Sequence, residues 1–421
     1  ADEVKFYYQD IWIKHKGANE IEVFNEYFFK TLNNHYLRWE IISEGRLIES
    51  GVLDKLEVEP QKYSGLTLPF SIQSDGREKY LNIRILTKKA EDLKEADHEV
   101  AKFQFLIDEG MPDTYRMKNV IQSENLEKEL PKVRENSMIT LEVSSSVFTV
   151  EFDRETGFIH KYHIGNQPIL AKGSKIVPNF WRAPTDNDFG ANINNSYAIW
   201  KNPEMKLKNF KWRNIDGLAE VEAHYEIPDS GSKMELVYLI NNVGEIKITQ
   251  KLMANKEKSV ANLFRFGMKM QLNKDLDQIE YYGKGPGENY SDRNTAAFVG
   301  IYHQSVADQF YPYIRPQESG NKTDVRWWIN KNITGQGIKI ISDKPLSISA
   351  LEYSIDELDE GTKKHNRHPA DLQKSDAVNL NIDLIQAGLG CEDSWGRIAQ
   401  KQYQLPYKDY QYTYFIKPYG F

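Results

Sequence analysis

The sequence predicts an all-β protein made of two successive β-sandwiches. Short runs in which apolar and polar residues alternate recur along the whole chain. Turn-forming residues separate these runs at roughly 8 to 12 positions, the spacing typical of sandwich folds. Long stretches with the helical period of about 3.6 residues are nearly absent. Because 421 residues exceed what one small sandwich needs, more than one domain is expected.

Residues 1–107 contain about seven short strand-like runs, a density typical of an immunoglobulin-like sandwich. The run Val4–Ile13 predicts the opening strand. The alternating run Leu37–Ile42 is followed by the turn Ser43–Arg46 and by a return strand from Leu47, which predicts a hairpin. No cysteine pair of the antibody kind is present, so only the architecture is predicted.

Residues 108–136 are charged, contain two prolines and lack periodicity, which predicts a linker. Residues 137–421 return to strand patterns and predict one large sandwich. Within this part, hairpins are expected over Phe148–Ile164 and Glu235–Leu252. The segment Leu351–Glu360 is the one place where a short helix is expected.

Composition excludes several classes of protein. The chain has 61 acidic and 54 basic residues, a net charge of −7, which disfavours a nucleic-acid partner. Its apolar runs are far shorter than the roughly 18 to 20 residues that cross a bilayer, so no membrane partner is expected. The single cysteine, Cys391, cannot form an intramolecular disulfide and is interpreted as a structural thiol. Aromatic residues make up 12% of the chain, which fits either a large β core or stacking on sugar rings.

Two glutamates are the first candidates for catalysis. Glu288 and Glu318 lie in glycine- and proline-rich strings, and a retaining glycosidase uses two carboxyl groups about 5 Å apart. The alternative is that both carboxylates hold turns or pair with Arg293 and Arg315. Sequence does not supply the distance between them, so both readings stay open here.

Metal and nucleotide sites are weakly supported. Asp186–Asp188 lacks the later ligands of a calcium loop, and His365 and His368 lie in a polar, lysine-rich stretch without cysteine. The glycine-rich segment Gly283–Asn289 follows a strand but precedes no helix, so a turn at a sheet edge is preferred over a phosphate-binding loop.

Several strings are specific enough to indicate a family. Those in the second sandwich are Phe180–Gly190, Tyr282–Arg293, Pro312–Asn321, Asp324–Trp327 and Gly390–Trp395. Those in residues 1–107 are Phe28-Phe29 and Leu37–Glu40. In order and spacing these strings resemble the C-terminal part of the large bacterial β-galactosidases of glycoside hydrolase family 2, and residues 1–107 resemble the immunoglobulin-like domain that follows the catalytic barrel in those enzymes.

The resemblance implies a fold and an activity for the parent enzyme. The second sandwich would be galactose-mutarotase-like, and the parent would hydrolyse terminal β-galactosides with retention. In the family both catalytic glutamates lie in an upstream (β/α)₈ barrel, and this chain has no alternating βα pattern. The chain is therefore expected to be a fragment without catalytic residues, and Glu288 and Glu318 would be non-catalytic. The family's magnesium and sodium ions are bound mainly by the barrel, so no cofactor is expected here.

The same resemblance singles out the residues that complete the sugar site. Trp395 matches a tryptophan that family members present to the sugar, and glycines on both sides place it in a turn. Gly190 matches a glycine of a mobile loop beside the barrel mouth, next to Asp186, Asn187 and Asp188. As a hinge, Gly190 is expected to need backbone torsions that favour glycine.

Partners follow from this reading. They are the upstream catalytic barrel of the parent chain and a galactoside substrate, while homo-oligomerisation and compartment stay open. Two alternatives remain, a free-standing carbohydrate-binding module and an aldose mutarotase. The mutarotase is the weaker one because His160, His163 and His303 lie in no motif that resembles a mutarotase site.

Overall fold

The computed structural model describes residues 2–91, 93–110, 130–390, 392–393 and 395–421. Most of the predicted linker, and Cys391 with its expected role as a structural thiol, lie outside these ranges. The described chain is all-β, which confirms the predicted fold class. It divides into two compact units, one formed by Ala1–Tyr115 with Arg293–Ile301 and the other by Arg116–Asp292 with Tyr302–Phe421.

The first unit opens with a short helix and continues as strands. Its helix is Asp2–Tyr7, and its strands are β1 (Ile11–Gly17), β2 (Glu20–Asn25), β3 (His35–Ser43), β4 (Arg46–Leu53), β5 (Tyr63–Thr67), β6 (Lys79–Thr87) and β7 (Glu99–Asp108).

These seven strands form two antiparallel sheets, ordered β1-β2-β5 and β4-β3-β6-β7. The predicted hairpin is confirmed, because Ser43 pairs with Arg46 across a two-residue turn. The turn residues Glu44 and Gly45 have φ of 46° and 78°, the left-handed conformation that matches the twist of the flanking strands. Trp39 is buried against Gly51, where an added Cβ would lie 2.6 Å from the indole.

The predicted opening strand over Val4–Ile13 is wrong in its first half. Residues Asp2–Tyr7 are helical, and β1 begins only at Ile11. Phe6 is buried while Val4 and Tyr7 are exposed, so burial does not alternate as it would in a strand. The acidic residues of the first turn also favour the positive end of the helix dipole.

The second unit contains the remaining strands, with β20 crossing the boundary between the units at Ile301. Strands β8 to β16 are Lys132–Glu135, Thr140–Ser144, Phe148–Asp153, Ile159–Ile164, Gln167–Pro168, Val177–Asn179, Lys206–Ile215, Leu218–Ile227 and Ser232–Ile240. Strands β17 to β24 are Ile246–Met253, Arg265–Asn273, Gln278–Gly285, Phe298–Ser305, Lys322–Lys331, Gly337–Leu351, Ala377–Gln386 and Tyr410–Tyr419. The helices are Asp186–Gly190, Ile193–Ser196 and Ile355–Leu358, with 3₁₀ turns at Ala198–Trp200, Ala307–Gln309, Pro369–Asp371 and Lys401–Tyr403.

A five-stranded sheet, β12-β11-β10-β9-β8, and a much larger sheet form this unit. The large sheet follows the order β13-β18-β23-β22-β24-β17-β16-β15-β14, and β21 pairs with both β22 and β19. Both predicted hairpins are confirmed, as β10–β11 and β16–β17. The linker predicted over residues 108–136, however, includes strand β8 near its end. The helix predicted over Leu351–Glu360 is shorter, Ile355–Leu358, and Leu351 is instead the last residue of β22.

Strands β18 and β23 have one apolar and one polar face. Every second residue, including Met268, Met270, Leu380 and Ile382, is buried in the hydrophobic core of the unit. The residues between them on the opposite face are polar, namely Lys269, Gln271, Asn379, Asn381 and Asp383. None of the helices in the described ranges has the length and apolar character needed to cross a bilayer.

Candidate functional site

Two segments that the sequence singled out lie together at one end of the large sandwich. The first is the helix Asp186–Gly190, and the second is the tryptophan loop, defined as residues 387–390, 392–393 and 395–399 between β23 and β24. A Cβ added to Gly396 would lie 3.9 Å from the carbonyl oxygen of Gly190, and one on Gly390 would lie 3.7 Å from the Cβ of Asn187. The helix and the loop therefore border the same surface.

Trp395 is exposed on this loop. Its relative exposure is 90%, so almost the whole indole faces solvent. Its backbone N–H donates to Oδ1 of Asp393 over 2.8 Å, and the N–H of Arg397 donates to the same oxygen over 3.3 Å. A side-chain acceptor that holds the following backbone in this way is an Asx turn. The prediction that Trp395 lies in a turn at the surface is confirmed, and packing in the core is excluded.

Arg182 holds the helix and the tryptophan loop together. Its guanidinium is 1% exposed and donates to the carbonyl oxygens of Ala387 (2.7 Å) and Gly388 (3.1 Å) at the root of the loop. It also forms two bonds to the Asp188 carboxylate, from Nε over 3.1 Å and from Nη2 over 2.8 Å. Burial lowers the pKa of Arg182, but Asp188 opposes it and the net pKa is raised. One charged group thus fixes both segments.

Asp292 provides a second brace. Its Oδ2 accepts the backbone N–H of Gly390 over 2.9 Å. A Cβ added to Gly388 would lie 2.5 Å from the same oxygen, so glycine is needed for this close approach. Sequence reasoning did not single out Arg182 or Asp292, although both lie in the strings that carried the family resemblance.

The residues predicted to form the loop have different roles in the structure. Asp188 is 2% exposed and forms a capping box with Thr185, whose N–H donates to Oδ2 of Asp188 over 2.8 Å. Asp186 faces solvent and pairs with Arg315 (3.5 Å) and Lys364 (2.5 Å). Asp188 therefore stabilises the helix, and Asp186 remains at the surface.

The expected torsion at Gly190 is wrong. Gly190 is the last residue of the helix, and it is not among the glycines with positive φ. The left-handed residue of this segment is Asn192, with φ of 55°. Asparagine tolerates that conformation better than most residues, so the reversal of the chain does not require a glycine.

The two glutamates first considered for catalysis are both engaged elsewhere. Glu318 is 5% exposed and accepts from Nη2 of Arg265 over 2.9 Å. The alternative pairing with Arg315 is wrong for Glu318, since Arg315 pairs with Glu360 and Asp186.

Glu288 holds a turn through several hydrogen bonds. Its carboxylate accepts from the Tyr313 hydroxyl, from the backbone N–H of Gly320 over 2.8 Å and from Oγ of Ser319 over 3.3 Å. The adjacent Gly285 is in β19, where an added Cβ would lie 2.2 Å from the Tyr281 hydroxyl. The glycine-rich segment is thus partly strand, and at Gly285 it is packed too closely for a larger residue.

Arg265 also faces Asp383, whose Oδ2 lies 3.4 Å from Nη1. Burial raises the pKa of Asp383 to about 7, although Arg265 acts in the opposite direction. Arg265 already pairs with Glu318, so it compensates only part of the negative charge that Asp383 would carry when ionised.

We expect Asp383→Asn to make stability less dependent on pH. The folded chain holds a proton on Asp383 from its ordinary pKa of 3.8 up to about 7, whereas the unfolded chain releases it at the lower value. The contribution of Asp383 to the free energy of unfolding is therefore fully present below pH 3.8 and is lost as the pH rises from there through about 7. Urea unfolding at about pH 5 and about pH 8 should show a larger loss in the parent chain than in Asp383→Asn. The exposed Asp376→Asn is the control, and parallel pH profiles for Asp383→Asn and the parent would contradict this reading.

The histidine pair and the acidic string form no metal centre in the described part of the chain, where no group of three or more His, Cys, Asp or Glu side chains is placed to hold an ion. His368 bonds through Nδ1 to the carbonyl oxygen of Ile314 over 3.1 Å.

The fold and the site define a two-sandwich β protein with an exposed tryptophan on a braced loop. Comparison with known proteins then identifies the family. The family model described as beta galactosidase small chain matches residues 144–416, and the one described as beta-galactosidase, domain 4, matches residues 21–108. The chain therefore belongs to the beta-galactosidase small chain family.

Full-length relatives extend well beyond this chain. A beta-galactosidase from Priestia megaterium is 30% identical over 426 residues, covering 99% of this chain and 39% of the relative. One from Pseudoalteromonas haloplanktis is 26% identical, covering 93% of this chain and 37% of the relative. The chain thus spans between 37% and 39% of the length of these two relatives.

Similar solved structures are more distant. A galactose 1-epimerase from Lactobacillus acidophilus NCFM has 9% identity and a TM-score of 0.39, covering 70% of this chain and 98% of the epimerase. A putative aldose 1-epimerase from Escherichia coli K12 has 9% identity and a TM-score of 0.35, covering 68% of this chain and 99% of that one. Likeness at this level supports no conclusion about activity.

Proposed function

We propose that this chain is the part of a retaining β-galactosidase that borders the sugar site, and that a separate catalytic portion supplies the acid/base and the nucleophile. The observation that carries the proposal is Trp395, exposed on a loop that the buried Arg182 and the half-buried Asp292 brace. The relatives that match nearly the whole chain are named beta-galactosidase, which supports the same function. Its partners would be the catalytic portion and a terminal β-galactoside.

An exposed indole is chemically suited to this role. The less polar face of galactose can stack on the ring, and by analogy with the stacking of nucleobases on aromatic side chains this contact is worth about 1–3 kcal/mol. If the loop were mobile, part of the stacking energy would be offset by the entropy lost when the loop becomes ordered around the sugar. The hydrogen bonds that Arg182 donates and Asp292 accepts already order the loop and reduce this entropy cost. We propose that the helix Asp186–Gly190, beside the loop, forms the adjoining border of the site.

The chemistry of hydrolysis would come from outside this chain. Retention requires a carboxylic acid and a nucleophilic carboxylate about 5 Å apart across the glycosidic bond. Glu318 is committed to Arg265, and Glu288 is committed to the turn at Gly320. We propose that the magnesium and sodium ions implied by the family resemblance also bind to the catalytic portion. Neither alternative, a free-standing binding module or a mutarotase, is favoured by the relatives.

The isolated chain is expected not to hydrolyse o-nitrophenyl β-galactoside. Without the two catalytic carboxylates the barrier remains close to that of the uncatalysed reaction, a difference of many orders of magnitude in rate. Release of nitrophenol should equal the buffer blank, while a full-length β-galactosidase serves as the positive control. Turnover that copurifies with the chain and is abolished by Glu288→Gln or Glu318→Gln would overturn the proposal.

A further inference from the structure

A second concave site lies in the large sandwich, on the polar face of β18 and β23. It is a cavity of about 300 Å³, a volume at the lower end of those that hold small molecules. Side chains with hydrogen-bonding groups dominate its wall, among them Lys175, Lys269, Gln271, Asp356, Asn379 and Asn381.

The floor of this cavity is a set of fixed amides. Asn381 accepts from Asn179 over 3.0 Å and donates to Oγ of Ser349 over 3.2 Å. Asn379 accepts from Gln271 over 2.9 Å and donates to a main-chain carbonyl over 3.2 Å. Each amide has a second N–H and a second lone pair beyond these bonds. The floor therefore offers oriented donors and acceptors, which match hydroxyl groups.

Lys269 brings a positive charge into the same space. The side chain is half-buried, and within the described residues its ammonium makes no hydrogen bond or ion pair. Burial lowers the pKa of Lys269, and Asp356 opposes that shift. A partly desolvated ammonium without a bonded partner is unfavourable, and an anion bound in the cavity would relieve it.

The surrounding charges favour an anion of low charge. Lys175, the other lysine of the wall, is already paired with Asp153 over 2.7 Å. Asp356 places a carboxylate on the same wall, where it would repel a dianion such as phosphate. One uncommitted ammonium therefore fits a single carboxylate better than a phosphate.

We propose that this cavity binds a small hydroxylated carboxylate, such as a sugar acid, with its carboxylate on Lys269 and its hydroxyl groups on the amides of Gln271, Asn379 and Asn381. The site is independent of the galactoside site proposed above, and its test does not need the catalytic portion.

Isothermal titration of the chain with D-galacturonate, D-galactose and inorganic phosphate tests the proposal. Galacturonate should bind more tightly than either of the other two. Lys269→Met should weaken galacturonate binding by roughly 10-fold or more, as expected for a lost bond to a charged group. Lys172→Met, an exposed lysine beside the cavity wall, is the matched control and should leave the affinity unchanged.

A second variant keeps the test valid if Lys269→Met does not fold. Asp356 is exposed, so Asp356→Asn should fold normally and strengthen galacturonate binding by removing a like charge. The proposal is overturned if galacturonate does not bind, if galactose or phosphate binds equally well, or if Lys269→Met and Asp356→Asn both leave the affinity unchanged.

Discussion

Arg182→Met is expected to lower the free energy of unfolding of the second unit by about 3–5 kcal/mol, the usual cost of removing one partner from a buried ion pair. Methionine has a similar volume, but it leaves the Asp188 carboxylate buried without its cation. It also leaves the carbonyl oxygens of Ala387 and Gly388 without their donor. The loss should appear as a lower midpoint in urea unfolding followed by tryptophan fluorescence.

Lys274→Met is the matched control for that measurement. Lys274 forms an ion pair with Asp376 over 3.0 Å, and the two side chains are 63% and 88% exposed. Water replaces the lost partner of Asp376 at the surface, so the midpoint should hardly change. Equal midpoints for Arg182→Met and Lys274→Met would show that the buried guanidinium does not brace the tryptophan loop.

Trp395→Ala is expected to weaken galactoside binding by roughly 10- to 100-fold in a chain that carries its catalytic portion, following from the energy of aromatic stacking. The loss should appear in the dissociation constant of a non-hydrolysed thiogalactoside. Because the indole is 90% exposed, the thermal midpoint should stay close to that of the parent.

Trp212→Ala separates this effect from a general loss of surface tryptophan. Trp212 lies on strand β14 and is also exposed, at 36%, and its indole N–H donates to Glu135 of strand β8 over 3.1 Å. Its removal should leave galactoside affinity unchanged. If Trp395→Ala and Trp212→Ala have the same affinity as the parent, Trp395 does not contact the sugar.

Local patterns in the sequence predicted much of the fold. The hairpin at Ser43–Arg46 follows from residues that lie next to each other, and the number of strands in the first unit follows from the density of short strand-like runs. The exposed position of Trp395 was also predictable, because flanking glycines disfavour a strand there. The helix at Asp2–Tyr7 was missed because a helix of six residues has too few positions to show a period.

The braces of the site could not be predicted in the same way. Arg182 and the carbonyl oxygen of Ala387 are separated by 205 residues in sequence, and only the order of strands in the large sheet brings them together. The same holds for the second cavity, where Gln271 meets Asn379 across a strand pair 108 residues apart. The sequence alone does not distinguish a buried arginine such as Arg182 from an arginine at the surface. Burial in the folded chain decides how much each arginine contributes to stability.

The most direct test of the proposed sugar site is hydroxyl-radical footprinting of the chain joined to its catalytic portion, with and without a saturating thiogalactoside. If Trp395 stacks on the sugar, its oxidation should fall sharply in the presence of the galactoside, while oxidation of Trp212 stays the same. Equal oxidation of Trp395 with and without the galactoside would contradict the account.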